Sequence, residues 1–139
     1  MQKNFSAAFA ILALAISPCL AQSVPETRTV SKVEAEALVR TALPEKLKRL
    51  PKFGMEISQD KNFARFYTAL VYWEGEPNGS VMVGNYDIDQ ETGDVWDAVT
   101  SCDEMNTRAL RRLQKTIRKE IGLSDSEFKS VKSKGPLCE

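Results

Sequence analysis

Residues 84–99 constrain the fold of this chain more than any other stretch. Apolar and acidic side chains alternate along both halves of the segment, as in strands whose two faces differ. Thr92 and Gly93 lie near its centre, where a glycine in the left-handed conformation suits a three-residue hairpin loop. The segment therefore predicts two antiparallel strands joined by a tight turn, and hence a sheet.

The length of this loop predicts how the two strands pair. With a loop of three residues Gln90 faces Asp94, and Asp87 lies opposite Asp97 on an outer, polar face that Asp89 shares. The opposite face is apolar and is expected to form part of the core; its members are Met82, Tyr86, Ile88, Trp96 and Ala98.

Acidic residues are concentrated in the middle of the chain. No lysine or arginine occurs between Phe66 and Thr107, a stretch that holds nine acids, whereas residues 22–65 and 108–139 carry net charges of +3 and +5. Either these segments neutralise one another in the fold, or the hairpin presents an acidic face to a partner. The partner-binding residues predicted on the second interpretation are Asp87, Asp89, Glu91, Asp94 and Asp97.

The sequence argues against a metal site and against nucleophilic catalysis. Asp87 begins a pattern that resembles a calcium loop, but the glycine falls at the seventh position and Ala98 occupies the twelfth, where a bidentate glutamate is needed. The chain has no histidine, which removes Ser-His and Cys-His pairs and the commonest metal ligand. We predict no metal, no cofactor and no enzymatic activity.

Residues 1–21 have the pattern of a secretory signal peptide. A positive charge near the start precedes an apolar run at residues 7–16, and Ala21 suits the cleavage site. The run is too short to span a bilayer, which needs about 20 residues. Pro18 disfavours lipid attachment at Cys19. We therefore expect a periplasmic or secreted protein without a stable membrane anchor.

Residues 22–30 are polar and aperiodic, which predicts a flexible arm, and residues 31–139 suit a single α+β domain. Cys102 and Cys138 remain after signal cleavage, and an even count in an exported chain indicates one disulfide. Two free thiols are the alternative.

Three Ser-x-x-Glu capping boxes, at Ser31, Ser101 and Ser124, mark the expected starts of three helices. Residues 63–73 form the richest β-forming run and are apolar on both faces, which is typical of a central strand. These patterns predict an antiparallel sheet of three to four strands. An N-terminal helix and two C-terminal helices, the first at residues 105–121, pack against it.

Residues 86–96 resemble the Val-Asp-x-x-Thr-Gly-Glu-Val hairpin of PepSY-type domains, and they are similar to the hairpin of small NTF2-fold immunity proteins. The segment between the two cysteines is not part of the PepSY pattern. The resemblance implies a non-catalytic role, since PepSY-type domains are thought to inhibit or chaperone peptidases and immunity proteins block the active site of a toxin.

The function we predict is inhibition or neutralisation of a protein partner, either as toxin immunity or as inhibition of an envelope hydrolase. An acidic hairpin face favours a basic partner, which it would attract electrostatically. One alternative is a homodimeric assembly protein that buries the second apolar face of residues 63–73. Another is a hydrolase using Asp87 and Asp97 as an acid–base pair. The basic side of residues 105–121 is interpreted as a solvated face, not as a nucleic-acid site.

Overall fold

The computed structural model describes residues 28–75 and 79–138. The predicted signal peptide and residues 22–27 of the predicted arm lie outside these residues. The end of the arm is part of the folded core, because Val30 is fully buried and its backbone N–H donates a hydrogen bond of 2.8 Å to the carbonyl of Gln90.

The described residues contain four α-helices: α1 at Lys32–Ala42, α2 at Glu45–Lys48, α3 at Arg108–Glu120 and α4 at Asp125–Lys132. The capping boxes predicted at Ser31 and Ser124 are confirmed. In each, the serine hydroxyl accepts the N–H of the glutamate three positions on, and that glutamate accepts the serine N–H. An N-terminal helix and two C-terminal helices are therefore present as expected.

The strands form one antiparallel sheet in the order β1-β2-β3-β4-β5. Their bounds are β1 Gly54–Ser58, β2 Phe66–Gly75, β3 Gly79–Asp89, β4 Val95–Asp97 and β5 Asp103–Glu104. The α+β class is confirmed, but the sheet has five strands where three to four were predicted.

The additional strand is β5, and it replaces the predicted second capping box. Asp103 and Glu104 pair with β4 and do not begin a helix, because Cys102 adopts a positive φ of 52° and turns the chain back along β4. Helix α3 begins later, with Thr107 as its N-cap, whose hydroxyl accepts the N–H of Leu110.

The core lies on one face of the sheet, which we call the inner face. Helix α1 crosses this face against β1 to β4, and α3 packs on α1. Leu38 of α1 and Ile88 of β3 are both fully buried in this cluster. Burying a side chain of this size stabilises a fold by about 1.5–3 kcal/mol. The sheet contributes Ile57, Ala69, Val71, Tyr86, Ile88 and Val95.

The hairpin forms, but its register differs by one residue from the predicted one. Asp87 pairs with Trp96, and the Asp89 N–H donates to the carbonyl of Asp94 at 3.0 Å, so the loop has four residues, 90–93. A slip of one residue moves every side chain of β4 to the other face. Val95 consequently enters the core.

The predicted inner positions of Tyr86 and Ile88 are confirmed, since both belong to the core cluster. The prediction for Trp96 is wrong: it lies on the opposite, outer face, where its ring meets that of Phe66 edge-on at 6.2 Å between centroids. The prediction for Met82 is also wrong, because this side chain is exposed.

The C-terminal segment is attached to the rest of the fold by the turn that follows α3 and by a disulfide. Gly122 has φ 75°, and the Leu123 N–H donates to the carbonyl of Arg118 at 3.0 Å, which ends α3 in a Schellman motif and starts the turn into α4. The predicted disulfide is confirmed, with 5.6 Å between the Cα atoms of Cys102 and Cys138. It ties the end of the described chain to the start of β5.

Candidate functional site

The five carboxylates predicted to bind a partner do not form one exposed face. Asp87, Asp89 and Asp94 retain 4%, 0% and 1% of their accessible surface, whereas Glu91 and Asp97 are partly exposed. The expectation that Asp87 and Asp89 face solvent is wrong. Three of the five carboxylates are thus removed from solvent.

Asp89 forms a buried ion pair that links the hairpin to the C-terminal helix. One carboxylate oxygen accepts the Arg65 guanidinium at 2.5 Å, and the other accepts the Glu91 N–H at 2.8 Å. The same Arg65 nitrogen donates to the carbonyl of Val131 in α4 at 3.1 Å. This carboxylate therefore organises the turn and is unavailable to a partner.

Asp94 forms the second buried ion pair, with α3. Its carboxylate accepts the Arg118 guanidinium at 2.5 Å and the Thr92 hydroxyl at 3.0 Å. The Arg118 Nε–H also donates to the carbonyl of Thr92 at 2.7 Å. Burial raises the pKa of Asp94, although Arg118 and Lys132 act in the opposite direction. Arg118 is thus a contact through which the basic helix neutralises the hairpin.

Asp87 is buried on the outer face beside a polar atom that lacks a partner. It accepts a hydrogen bond of 3.2 Å from the Thr68 hydroxyl, and the buried Asn85 Oδ1 has no hydrogen-bond partner among the described residues. Burial raises the pKa of Asp87, while the Thr68 hydroxyl acts to lower it. Asp87 therefore bears a desolvation cost that no cation in the described fold offsets.

Asp97 lies on the opposite side of the sheet from Asp87. It pairs with Tyr86, whereas Asp87 pairs with Trp96, so the alternation of side chains along a strand separates the two carboxylates. The Asp97 carboxylate accepts the backbone N–H groups of Val99 and Thr100. The acid–base pair required by the hydrolase alternative is not formed by these two residues.

The partly exposed acids around the hairpin also meet cations of the same chain. Glu91 lies 3.3 Å from the Lys134 ammonium and 3.7 Å from the Arg65 guanidinium, and Glu104 accepts the Lys132 ammonium at 2.6 Å. Two interpretations of the charge pattern were left open by the sequence. Mutual neutralisation of the segments accounts for most of the acidic side chains of the hairpin.

The basic side of α3 keeps its charge at the surface. Arg111, Lys115 and Lys119 are exposed and follow one another at intervals of four residues, along one rim of a groove between α3 and α4. The groove encloses about 600 Å³, and Leu123 and Phe128 form apolar parts of its lining. The four-residue interval was visible in the sequence, but the groove was not, because it depends on the turn that brings α4 back to α3.

No group of three or more His, Cys, Asp or Glu residues that could hold a metal ion occurs in residues 28–75 and 79–138. Across the helices that the structure describes, none has the length and apolar character needed to cross a membrane.

Fold and site together define a small, disulfide-linked α+β protein whose acidic hairpin is mostly ion-paired within the fold and whose helix α3 has a basic exposed side. Its fold is similar to that of a chain in a type VI secretion system effector–immunity complex from Pseudomonas protegens. The TM-score is 0.63 at 24% sequence identity, over 80% of this chain and 91% of that chain. No protein-family model matches the sequence, and the search of curated proteins gives no match. Resemblance to PepSY-type or NTF2-fold proteins in particular stays a prediction.

Proposed function

We propose that this chain is a non-catalytic binding protein that neutralises a protein toxin, in the manner of an immunity protein. The observation that carries the proposal is the fold shared with a chain of an effector–immunity complex, over most of both chains. A protein of this kind acts by occupying a surface of its target, so its specificity depends on the side chains that the fold exposes.

The arrangement of the hairpin carboxylates supports a binding role over a catalytic one. Asp89 and Asp94 are held in buried ion pairs, and Asp87 and Asp97 lie on opposite faces of the sheet. A glycosidase needs two carboxyl groups flanking a single scissile bond. The hairpin acids do not offer that geometry, so the hydrolase alternative has lost the pair on which it depended.

The site of action follows from the predicted signal peptide. Export would place the protein in the periplasm or outside the cell, where it would meet a toxin delivered to the envelope or an envelope hydrolase. The expectation of a basic partner now rests on Glu91 and Asp97, since the other three predicted contact residues are buried.

The test is a protection assay. Proteins cross-linked to the tagged chain in its own organism are identified, and each candidate toxin is directed to the periplasm of a heterologous Gram-negative host. Growth is then measured with the chain carrying residues 1–21, with the chain lacking them, and with an empty vector. We expect protection by the exported form alone. A toxin that binds the chain in vitro but kills all three strains equally contradicts the proposal.

The homodimer alternative keeps one observation in its favour. Leu70 and Met82 are 38% and 58% exposed on the outer face of the sheet, where a second copy could cover them. Light scattering coupled to size exclusion decides the question: a dimer that Leu70→Ser with Met82→Ser converts to a monomer supports assembly, and a concentrated monomer contradicts it.

A further inference from the structure

The groove between α3 and α4 combines a cationic rim with an apolar lining. Arg111, Lys115 and Lys119 supply the charge, and Leu123 and Phe128 supply the apolar surface. The Arg118 guanidinium holds the Phe128 ring in place by stacking 4.0 Å from its centroid. The same guanidinium pairs with buried Asp94. One part of the groove lining is thus fixed by the buried ion-pair network.

The charge on the rim is not balanced by the fold. Arg111, Lys115 and Lys119 form no ion pair with any described residue, and Asp125 is the acid that lines the groove with them. Like charges four positions apart on a helix are neighbours on its surface and destabilise it. The stripe contains two such pairs, so it weakens α3 and offers an uncompensated field to an anionic ligand.

The packing of α3 favours a protein ligand over a membrane. A helix that lies on a lipid surface inserts its apolar stripe. In α3 that stripe is already occupied, because Leu110 and Ile117 are buried in the core cluster where α3 packs on α1. The remaining exposed face is cationic, and apolar surface beside it is found in the groove.

We propose that this groove is the docking site for an acidic segment of the protein toxin. One aromatic or long aliphatic side chain of that segment enters between Leu123 and Phe128, and flanking carboxylates meet Arg111, Lys115 and Lys119. This inference rests on the proposed function, and it specifies that the toxin surface bound by the chain is acidic. It replaces the basic partner expected from the hairpin, because the fold pairs three of the five hairpin acids with its own cations and leaves the cations of the groove rim without an ion pair to any described residue.

The test uses a fluorescein-labelled short peptide rich in Asp and Glu with one central Trp, followed by fluorescence anisotropy with the full mature chain. Arg111→Gln with Lys115→Gln removes two cations from the rim. The matched control, Arg108→Gln with Arg112→Gln, removes two exposed cations from the same helix outside the groove lining. We expect about tenfold weaker binding for the rim variant, equivalent to about 1.4 kcal/mol, and little change for the control.

A second peptide with Ala in place of the Trp tests the apolar contact, and it is expected to bind more weakly than the first. Equal loss in both variants would mean unspecific charge attraction and would overturn the proposal. The proposal would also be overturned if the peptide did not bind while phosphatidylglycerol vesicles or single-stranded DNA did, and if that binding required Arg111 and Lys115. Circular dichroism of both variants confirms that they are folded.

The protection assay separates this inference from the proposed function. If the wild type protects and the rim variant protects equally well, the groove is not the docking site but the neutralising function stands. If the peptide binds as expected and no toxin is neutralised, the groove chemistry stands and the function fails.

Discussion

At the scale of single residues, Asp87 shows that an acid at an alternating strand position, which the sequence predicts to be exposed, can be buried. Its pKa is raised above 3.8 by burial, and the hydrogen bond from Thr68 offsets only part of that effect. An acid whose pKa is higher in the folded than in the unfolded state binds more protons when folded. Stability therefore falls as the pH rises from the unfolded pKa through the folded pKa.

We expect Asp87→Asn to increase the free energy of unfolding at neutral pH, since it removes a carboxylate charge that burial disfavours and that no cation of the described fold offsets. The gain should vanish below the unfolded pKa, where the acid is neutral in both states. Urea titrations of the variant and the wild type across this pH range measure the effect, with Asp97→Asn as the half-exposed control. A variant less stable than the wild type at neutral pH contradicts the argument.

Arg118 holds the charge of buried Asp94, and its removal should be costly. Arg118→Gln is expected to destabilise the fold by about 3 kcal/mol at neutral pH, because the buried carboxylate then keeps, among the described residues, only the more distant Lys132 ammonium, at 4.0 Å, as a counter-charge. The loss should shrink in acid, since burial already raises the pKa of Asp94 and protonation discharges it. Adding Asp94→Asn should restore part of the stability.

A double-mutant cycle in urea at neutral and acidic pH measures this coupling. Arg112→Gln, an exposed arginine of the same helix, is the control and should have little effect. Strictly additive losses for Arg118→Gln and Asp94→Asn would show that the pair is not coupled.

At the scale of elements, the sequence predicts the hairpin but not its register. A glycine in the left-handed conformation fits a loop of three or of four residues, so Gly93 alone does not decide between them. The side chains of the turn decide: Asp89 accepts the Glu91 N–H, and the Thr92 hydroxyl oxygen accepts the Asp94 N–H at 3.2 Å. The Asp-x-Glu and Thr-x-Asp spacings therefore indicate the register, which the alternation of apolar and acidic residues does not.

The two turn glycines allow backbone strain to be measured at matched sites. Gly93 and Gly122 have φ values of 72° and 75°. A Cβ atom at Gly93 would lie 3.4 Å from Leu38 Cδ1, an ordinary contact, and one at Gly122 would meet nothing within 4 Å. Gly93→Ala and Gly122→Ala should therefore each lose about 1–2 kcal/mol from the left-handed conformation.

Thermal and urea unfolding of the two alanine variants measures that loss, and Gly122→Asn serves as the control because asparagine tolerates this conformation better. A much larger loss for Gly93→Ala than for Gly122→Ala would mean that the contact with Leu38, not the backbone, limits the hairpin turn.

At the scale of the whole molecule, local patterns predicted two of the three helix starts, the antiparallel sheet and the disulfide, because capping boxes, alternation and cysteine parity act within short segments or by count. The candidate site was harder to predict from the sequence, because it depends on which charged residues far apart in the sequence come into contact. Arg65 and Asp89 are 24 positions apart, as are Asp94 and Arg118. Their pairing buries the acidic face that the sequence presents, and it leaves the basic helix as the uncompensated surface.

The disulfide links this arrangement to overall stability. It joins residues 36 positions apart and attaches the segment after α4 to the start of β5, close to the ion pair between Lys132 and Glu104. Constraining a loop of this length in the unfolded chain stabilises the folded state by roughly 3–4 kcal/mol in the chain-entropy model. We expect Cys102→Ser with Cys138→Ser to lose that amount while the chain still folds, because the core cluster on the inner face contains neither cysteine.

Urea unfolding of the wild type with and without dithiothreitol, beside the double serine variant, measures the contribution. Reduction should lower the wild type to the stability of the variant and leave the variant unchanged. Hydrogen exchange should show the additional opening in residues 124–138 before it reaches β2 and β3, since this segment keeps the ion pairs of Lys132 and Lys134 but loses its covalent tie. A loss spread evenly over the sheet would show instead that the disulfide and the core unfold as one unit.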